Sequence, residues 1–443
     1  VTREEPRPLR IGLAGLGTVG AGLLHLLAHN HALIARSAGR PIVITAVSAR
    51  DRARDRGTPI ADLRWHDDPL ALVTDPEVDV VVELIGGSGD PALALVCAAL
   101  AAGKPVVTAN KALLAIHGKD LAQRAAAAGV PLAYEAAVAG GIPVIKALRE
   151  GLAANRIESI SGILNGTCNY ILTKMREGQG RDRPASFAEV LAEAQRLGYA
   201  EADPSTDIDG HDTAHKLAIL AALAFGQPVD FDAVHIEGLR AIDALDIAYA
   251  SELGYRIKLL GIARRTPSGI DARVHPTMLP ENAPLAMVDG VYNAVLAIGD
   301  QVGRVLFEGR GAGAGPTASA VAADLIDIAR FRVTPVWGHD GADQTPDLKP
   351  VSPAPISGHV GPYYLRVMVA DQPGVIADIT AALRDNGVSL EAMLQRGRNP
   401  AAAVPVVLVT HDTFERALRA AVAHISALPT VLEPPTVIRI EAS

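Results

Sequence analysis

The sequence predicts an α/β protein of more than one domain: a parallel sheet covered on both faces, an α+β unit after it, and a small βαββαβ unit at the C-terminus. Three observations carry that expectation. The chain has 443 residues, beyond the roughly 250 to 300 at which single hydrophobic cores stop growing. Hydrophobic residues make up 49% and aromatics 4%, so the cores must be built from Ala, Val, Leu and Ile, the composition of helix-covered parallel sheets. Through residues 9–131 short apolar runs alternate with Ala/Leu-rich helical stretches, the βαβ rhythm of a doubly wound sheet.

In chain order, strands are expected at 9–14, 42–47, 78–84 and 106–108, with helices at 19–28 and 91–102. After Tyr134 the texture changes. Gly140-Gly141, the turn-rich Asn165-Gly166-Thr167, an acidic loop and a long apolar helix at 213–225 read as α+β, closing through a Gly-rich return at 309–316 and a helix at 317–329. Six prolines between Pro335 and Pro362 then predict an exposed connector separating two cores. Beyond it come a strand (364–369), a turn (371–374), a helix (375–386), two strands (388–395 and 404–410), a helix (413–426) and a strand (436–441), the order of a ferredoxin-like module. The expected units are therefore 1–134 with the return segment 309–330, then 135–334, a linker over 335–362, and 363–443.

Composition narrows the function classes. A formal net charge of −8 offers no basic field for nucleic acid, and the scarcity of aromatics removes a stacking platform. Cys97 and Cys168 are too few for a disulfide framework. The charged N-terminal stretch runs directly into an apolar strand and lacks a secretory core, and the most apolar stretch, 92–102, is about half of what spans a bilayer. A cytoplasmic protein with no membrane or nucleic-acid partner is expected.

The first strand leads into Gly15-Leu16-Gly17-Thr18-Val19-Gly20 and then a helix, the context that a dinucleotide fingerprint requires. Gly15 permits the tight turn, Gly17 lets backbone approach a pyrophosphate, Gly20 permits close packing, and the helix N-terminus meets the anion. This makes the first unit a Rossmann-type dinucleotide-binding domain. Arg50 follows the second strand, where an acidic residue would select NAD. An arginine there can hold a 2′-phosphate, so the expected cofactor is NADP or NAD with NADP favoured. The competing reading makes Arg50, Arg52, Arg54 and Arg56 a solvated face balanced by Asp51 and Asp55.

Chemistry is densest at 198–216, where Glu201, Asp203, Asp207, Asp209 and Asp212 precede His215 and Lys216. So many carboxylates repel unless a metal ion or an amino group sits among them. The spacing around Asp207, Asp209 and Gly210 does not fit an EF-hand. Asp212 and Lys216 stand four apart at the start of an apolar helix and share a face. In isolation that is an ordinary surface ion pair; beside an acidic loop and behind a dinucleotide domain it is a candidate acid.

Together with Thr108-Ala109-Asn110-Lys111, the run Glu135 to Pro143, the run Gly162 to Tyr170 and Gly311 to Thr317, these motifs resemble homoserine dehydrogenase in content and order over about residues 9–330. The resemblance implies interconversion of aspartate 4-semialdehyde and homoserine, with 135–334 a catalytic and dimerisation domain. Lys216 is then the proton donor, with Asp207 and Lys111 in the same pocket and Lys111 between nicotinamide and substrate. Glu201, Asp212 and the Gly198 backbone would hold the substrate ammonium group. Carbonyls around Glu135, Val138, Gly140 and Ile142 would hold a monovalent cation, sodium in the family, and Gly311 and Gly313 would close on the cofactor. His211 and His215 depart from the small or apolar residues expected there and read as exposed or packed, while Cys168 is not expected to act as a nucleophile.

The tail resembles an ACT domain in Tyr363-Tyr364-Leu365-Arg366-Val367, in Asp371-Gln372-Pro373-Gly374-Val375 and in Val388-Ser389-Leu390-Glu391 followed by Gln395. That resemblance implies an amino-acid effector, threonine foremost, and a homodimer or homotetramer. It also leads to the expectation that cutting near Pro350 leaves an active but unresponsive enzyme. The alternative from another class is an amino-acid and redox sensor on a dehydrogenase scaffold, to which Lys111 and the 201–216 constellation would be superfluous.

Overall fold

The computed structural model describes residues 6–57, 60–179, 185–338, 352–396 and 402–441. Its first sheet holds six parallel strands: β1 (Leu9–Ala14), β2 (Ile42–Ser48), β3 (Arg64–His66), β4 (Val80–Glu83), β5 (Val106–Thr108) and β6 (Leu132–Ala133). Their order is β3-β2-β1-β4-β5-β6. That order reverses between β1 and β4, and the crevice beyond the carboxyl ends of strands at such a reversal is where these sheets bind ligands. β1 buries Leu9, Ile11, Leu13 and Ala14, with helices on both faces, which explains why its sequence reads as a continuous apolar run rather than an alternation.

The second sheet follows the order β12-β11-β7-β9-β10-β18-β14-β16-β15, with β8 also on β10. Here β7 is Ile157–Ile163, β8 His235–Ile236, β9 Tyr255–Thr266, β10 Gly269–Pro280, β11 Tyr292–Gly299 and β12 Gly303–Arg310. The C-terminal strands are β13 (Val360–Gly361), β14 (Tyr363–Ala370), β15 (Leu390–Gln395), β16 (Ala403–Thr410), β17 (Thr413–Phe414) and β18 (Thr436–Ile440), with β13 and β17 forming a separate two-stranded pair. Within the tail the antiparallel order β18-β14-β16-β15, with helices Val375–Asp385 and Glu415–Ser426, is the ferredoxin-like arrangement.

One expectation about the connector is overturned and another holds only in part. Residues 339–351 lie outside the described residues, and Ser352, Pro353, Pro355 and Ser357 are exposed as expected, but the beginning of the connector is not: Trp337 is 1% accessible, stacks obliquely on Tyr134 at 5.3 Å and donates to the Gly118 carbonyl at 3.3 Å. An indole buried this way anchors the chain, whatever the Pro content around it. Nor does the connector separate two cores. β18 pairs in parallel with β10, Thr277 facing Arg439 and Met278 facing Ile440, so one sheet runs through both units. One face of the tail has its own core, around Leu365, Val367, Ile379 and Leu418. The other face contributes Tyr364, Val407, Val409, Ile438 and Ile440 to the large central core.

A candidate active site at the junction of the two sheets

Each position of the glycine loop has a distinct physical reason. Gly15 has φ +97°, and a Cβ there would lie 2.4 Å from the Leu84 carbonyl oxygen; a Cβ on Gly20 would lie 2.1 Å from the oxygen of Gly15. Gly17 faces open space and caps the helix Thr18–His29, whose first-turn N–H groups point outward for an anion. Leu16 is buried, Thr18 is exposed and Val19 is half-buried. Arg50 is exposed just beyond β2. Asp51, the acidic residue nearest, spends one carboxylate oxygen on the backbone N–H groups of Ala53 and Arg54.

Sequence reasoning missed two supports of this crevice. Arg56 donates from Nε to the Leu16 carbonyl at 3.3 Å, tying the loop after β2 to the glycine loop. At the end of β4 the fully buried Glu83 accepts from Thr108 Oγ1 at 2.6 Å and from the N–H groups of Ile85 and Gly86. Asn110 caps the helix Lys111–Ala128 and donates to the Gly87 carbonyl at 2.7 Å. Lys111 thereby begins its helix at the carboxyl end of β5, aimed out of the first unit.

Across the junction stands Asp212, on the first turn of the helix His211–Phe225. Its carboxylate is 2.7 Å from Lys216 Nζ, 3.2 Å from Lys111 Nζ and 2.9 Å from the Asn165 amide nitrogen. The same Asn165 amide donates to Asp207 at 2.8 Å. Asn165 caps the helix Gly166–Glu177 with its oxygen, so one side chain fixes a helix start and both carboxylates. Burial would raise the Asp212 pKa, but the charges of Lys216 and Lys111 and the hydrogen bonds from Lys216 and Asn165 outweigh it and hold the group below the usual carboxylate range. Asp207, pressed by burial and then by the charge of Asp212, moves the other way, upward. Asp212, followed by Asp207 and Glu201, raises Lys111 against the effect of its burial.

Lys216 also donates to the Leu164 carbonyl at 2.7 Å. An ammonium has three N–H bonds, and the two acceptors take two of them; among the described residues no acceptor takes the third, which is available to a ligand oxygen.

The acidic stretch therefore divides. Asp209 is held by Arg240 at 3.0 Å and by a second, shorter bond, and Asp203 accepts from the N–H of Ser205; both shape the loop. Glu201 and Gly198 are exposed, with Gly198 in the left-handed region at φ +74°. His211 is exposed, and His215 packs on Phe231 at 4.5 Å. Cys168 is buried and donates from Sγ to the Asp207 carbonyl at 3.2 Å. Burial, reinforced by Asp207 and Asp212, raises its thiol well above the ordinary value, the opposite of an activated thiolate.

The hinge between units is also built. Glu135 accepts the N–H groups of Ile145 and Lys146 at 2.9 and 2.8 Å, Val138 and Ile142 are buried, and Ala139 and Gly140 have φ +54° and +41°. A Cβ on Gly140 would lie 2.4 Å from the Gly311 carbonyl oxygen, and one on Gly311 would run into the Asn293 side chain at 2.2 Å. Gly313 caps the helix Ala314–Ala329. The return segment thus packs on the hinge and, through the close approach of Gly22 to the Ala314 carbonyl, on the glycine-loop helix. Among the described residues no three His, Cys, Asp or Glu side chains group to hold a metal, and no helix is long and apolar enough to cross a membrane.

A dinucleotide fold whose switch point faces a lysine–carboxylate cluster defines a nicotinamide-dependent oxidoreductase. Comparison with known proteins gives the particular family. Residues 15–135 match the family described as homoserine dehydrogenase, NAD binding domain, residues 143–326 that of homoserine dehydrogenase, and residues 363–430 that of the ACT domain. The chain is 49% identical to a homoserine dehydrogenase of Neisseria gonorrhoeae, over 98% of this chain and 99% of that one, and 46% identical to one of Pseudomonas aeruginosa at the same coverage. The crystal structure of a homoserine dehydrogenase from Thiobacillus denitrificans superposes with a TM-score of 0.90 at 48% identity, covering 98% of this chain and 99% of the other. A hyperthermophilic archaeal homoserine dehydrogenase solved with NADPH is 27% identical with a TM-score of 0.62, its whole length corresponding to 74% of this chain. The chain belongs to the homoserine dehydrogenase family.

Proposed function

We propose that this oxidoreductase interconverts homoserine and aspartate 4-semialdehyde with NADP in preference to NAD, using Lys216 as the proton donor. The observation that carries the reading is the Lys216–Asp212–Lys111 cluster with one Lys216 N–H unspent. The glycine loop 15–20 and Arg50 hold the dinucleotide, which supplies or receives the hydride at the substrate's C4. As the aldehyde is reduced, negative charge grows on its oxygen; Lys216 Nζ delivers a proton to it and Lys111 stabilises the charge. In the reverse direction Lys216, having given up its proton, takes the hydroxyl proton of homoserine, and Asp212 orients Nζ by accepting one of its N–H groups. Asp207 lines the same pocket. Glu201 and the Gly198 backbone receive the substrate ammonium; Asp212 adds charge there, its oxygens being engaged by the two lysines and Asn165.

The NADP preference rests on Arg50 being exposed where the ribose ends and on Asp51 being used by its own loop. At the hinge, main-chain oxygens around Val138, Gly140 and Ile142, next to Glu135, suit a hard monovalent ion, sodium in our reading, since carbonyl donors rather than clustered carboxylates are present. The tail takes an amino-acid effector, threonine, at the turn before the helix Val375–Asp385, and the enzyme works as a homodimer or homotetramer in a reducing, cytoplasmic setting in which Cys97 and Cys168 stay free.

Initial rates of homoserine oxidation, followed by the absorbance of reduced nicotinamide with NADP and NAD in parallel, test the proposal. A higher kcat/KM with NADP is expected. No reduction of either cofactor by homoserine in the folded protein overturns the activity; a clear advantage for NAD overturns the preference alone.

A further inference from the structure

β8 and β18 lie one after the other along the same edge of β10: Arg273 and Val274 face His235 and Ile236, and Thr277 and Met278 face Arg439 and Ile440. At their junction a tail arginine meets a carboxylate of the catalytic unit. Arg439, 2% exposed, donates to both oxygens of Glu237 at 2.8 and 3.1 Å, and from Nε and Nη2 to Glu415 at 2.9 and 2.7 Å. Arg419, also from the tail, reaches Glu237 at 2.7 Å, and His235 lies 2.9 Å from the same carboxylate.

Glu237 is followed at once by the segment that carries the catalytic turn. A Cβ on Gly238 would lie 2.4 Å from the Ile208 carbonyl oxygen and 2.6 Å from the Asp209 Cα. Leu239 N–H donates to that same Ile208 carbonyl at 2.8 Å, and Arg240 grips Asp209. Glu237 N–H is itself fixed to the Val274 carbonyl at 2.8 Å. Ile208 adjoins Asp207, and Gly210 N–H closes the turn on the Asp207 carbonyl at 3.1 Å.

We propose that Glu237, held by Arg439 and Arg419 of the tail, is a positioning residue for the reaction, fixing the 207–210 turn and through it Asp207 against Asn165 and Asp212. The inference rests on the placing of the substrate pocket given above. It makes the tail part of the frame of the active site, with three charged hydrogen bonds to Glu237 and one close backbone approach in place of a flexible tether. Bidentate Arg–carboxylate pairs are suited to this because they fix orientation as well as distance, and displacements of about an ångström in a site cost up to ~10²-fold.

The test uses the full-length enzyme with Glu237→Gln, which keeps the shape and removes the charge. Homoserine KM is expected to rise about tenfold while the KM for NADP stays within about twofold, and Arg439→Gln added to Glu237→Gln should add little to homoserine KM, because both act on the pocket through one contact, while Tm falls further through the loss of Arg439 from Glu415. Should Glu237→Gln not fold, Arg419→Gln, at the exposed arm of the same clamp, is expected to raise homoserine KM by about two- to threefold. A lowered Tm with homoserine KM unchanged in whichever variant folds overturns the proposal and leaves the cluster a purely structural one. Failure of the underlying site reading looks different: the wild-type enzyme would then be indifferent to Lys216→Ala.

Discussion

Removing the Lys216 ammonium does not strand Asp212, because Lys111 and Asn165 still hold its carboxylate. Lys216→Ala should therefore fold and bind NADP normally while turnover falls by ~10² to 10⁴, the range for losing a general acid; circular dichroism, cofactor titration and steady-state rates check the three parts, and wild-type turnover in the folded variant would remove the lysine from the mechanism. Arg50→Ala should weaken NADP more than NAD, since a 2′-phosphate loses a charged partner that a 2′-hydroxyl never needed; equal losses by fluorescence titration would return the arginines to a solvated face. What was legible at this scale was local. The glycine loop and the i,i+4 spacing of Asp212 and Lys216 can be read along the chain. Asn165 could not be given its role, because its two carboxylate partners lie 42 and 47 positions away and only the fold brings them to one amide. Glu83 was hidden for a different reason: an acidic residue closing an apolar strand signals nothing until Thr108 and two N–H groups are seen around it.

Among the elements, hydrophobic runs located β1 and β5 to the residue, since strands buried on both faces are continuous apolar segments. β3 was missed: Arg64, Trp65 and His66 show no such run, and the strand is held by a side chain instead. Asp75, 4% exposed, lies 2.9 Å from His66 Nε2, takes a shorter bond from Arg64, and accepts the Glu77 N–H at 2.8 Å. Burial would raise its pKa, but these hydrogen bonds, His66 first, bring it down from 3.8 to about 2. A folded-state pKa below the unfolded one gives stability that is present above about pH 4 and lost as pH falls toward 2, on the order of 2 kcal/mol. Asp75→Asn should thus lose stability at pH 7, with a shallower fall between pH 4 and 2 than wild type in urea melts. Parallel pH profiles would show that the edge strand is anchored some other way.

At the scale of the whole molecule the order of units was legible and their union was not, because a strand such as Thr436–Ile440 reads as a strand without naming its partner. Counting prolines suggested a tether; the indole of Trp337 and the parallel pairing of β18 with β10 contradict it. This changes what truncation should do. Removing everything beyond residue 338 opens the β10 edge where β18 had paired, and bares the part of the central core that Tyr364, Val407, Val409, Ile438 and Ile440 had covered. It also takes Arg366 from Asp246, which it binds at 2.7 and 2.9 Å in a buried pair. An open strand edge beside an apolar patch is a template for aggregation. The archaeal relative, whose whole length corresponds to 74% of this chain, shows that a shorter member of the family folds, so the expectation concerns the surface of this chain and not the catalytic unit in general. We expect the truncated protein to aggregate and lose activity, instead of surviving as an active enzyme deaf to its effector; by contrast, Arg366→Met in the intact chain should leave the sheet paired but cost ~3 kcal/mol, because Asp246 stays buried with the Tyr364 hydroxyl and the Asp243 N–H but without its arginine. Sedimentation velocity and urea melts decide between the two pictures: a soluble, active truncated enzyme together with an Arg366→Met variant of wild-type stability would mean that the tail is merely docked.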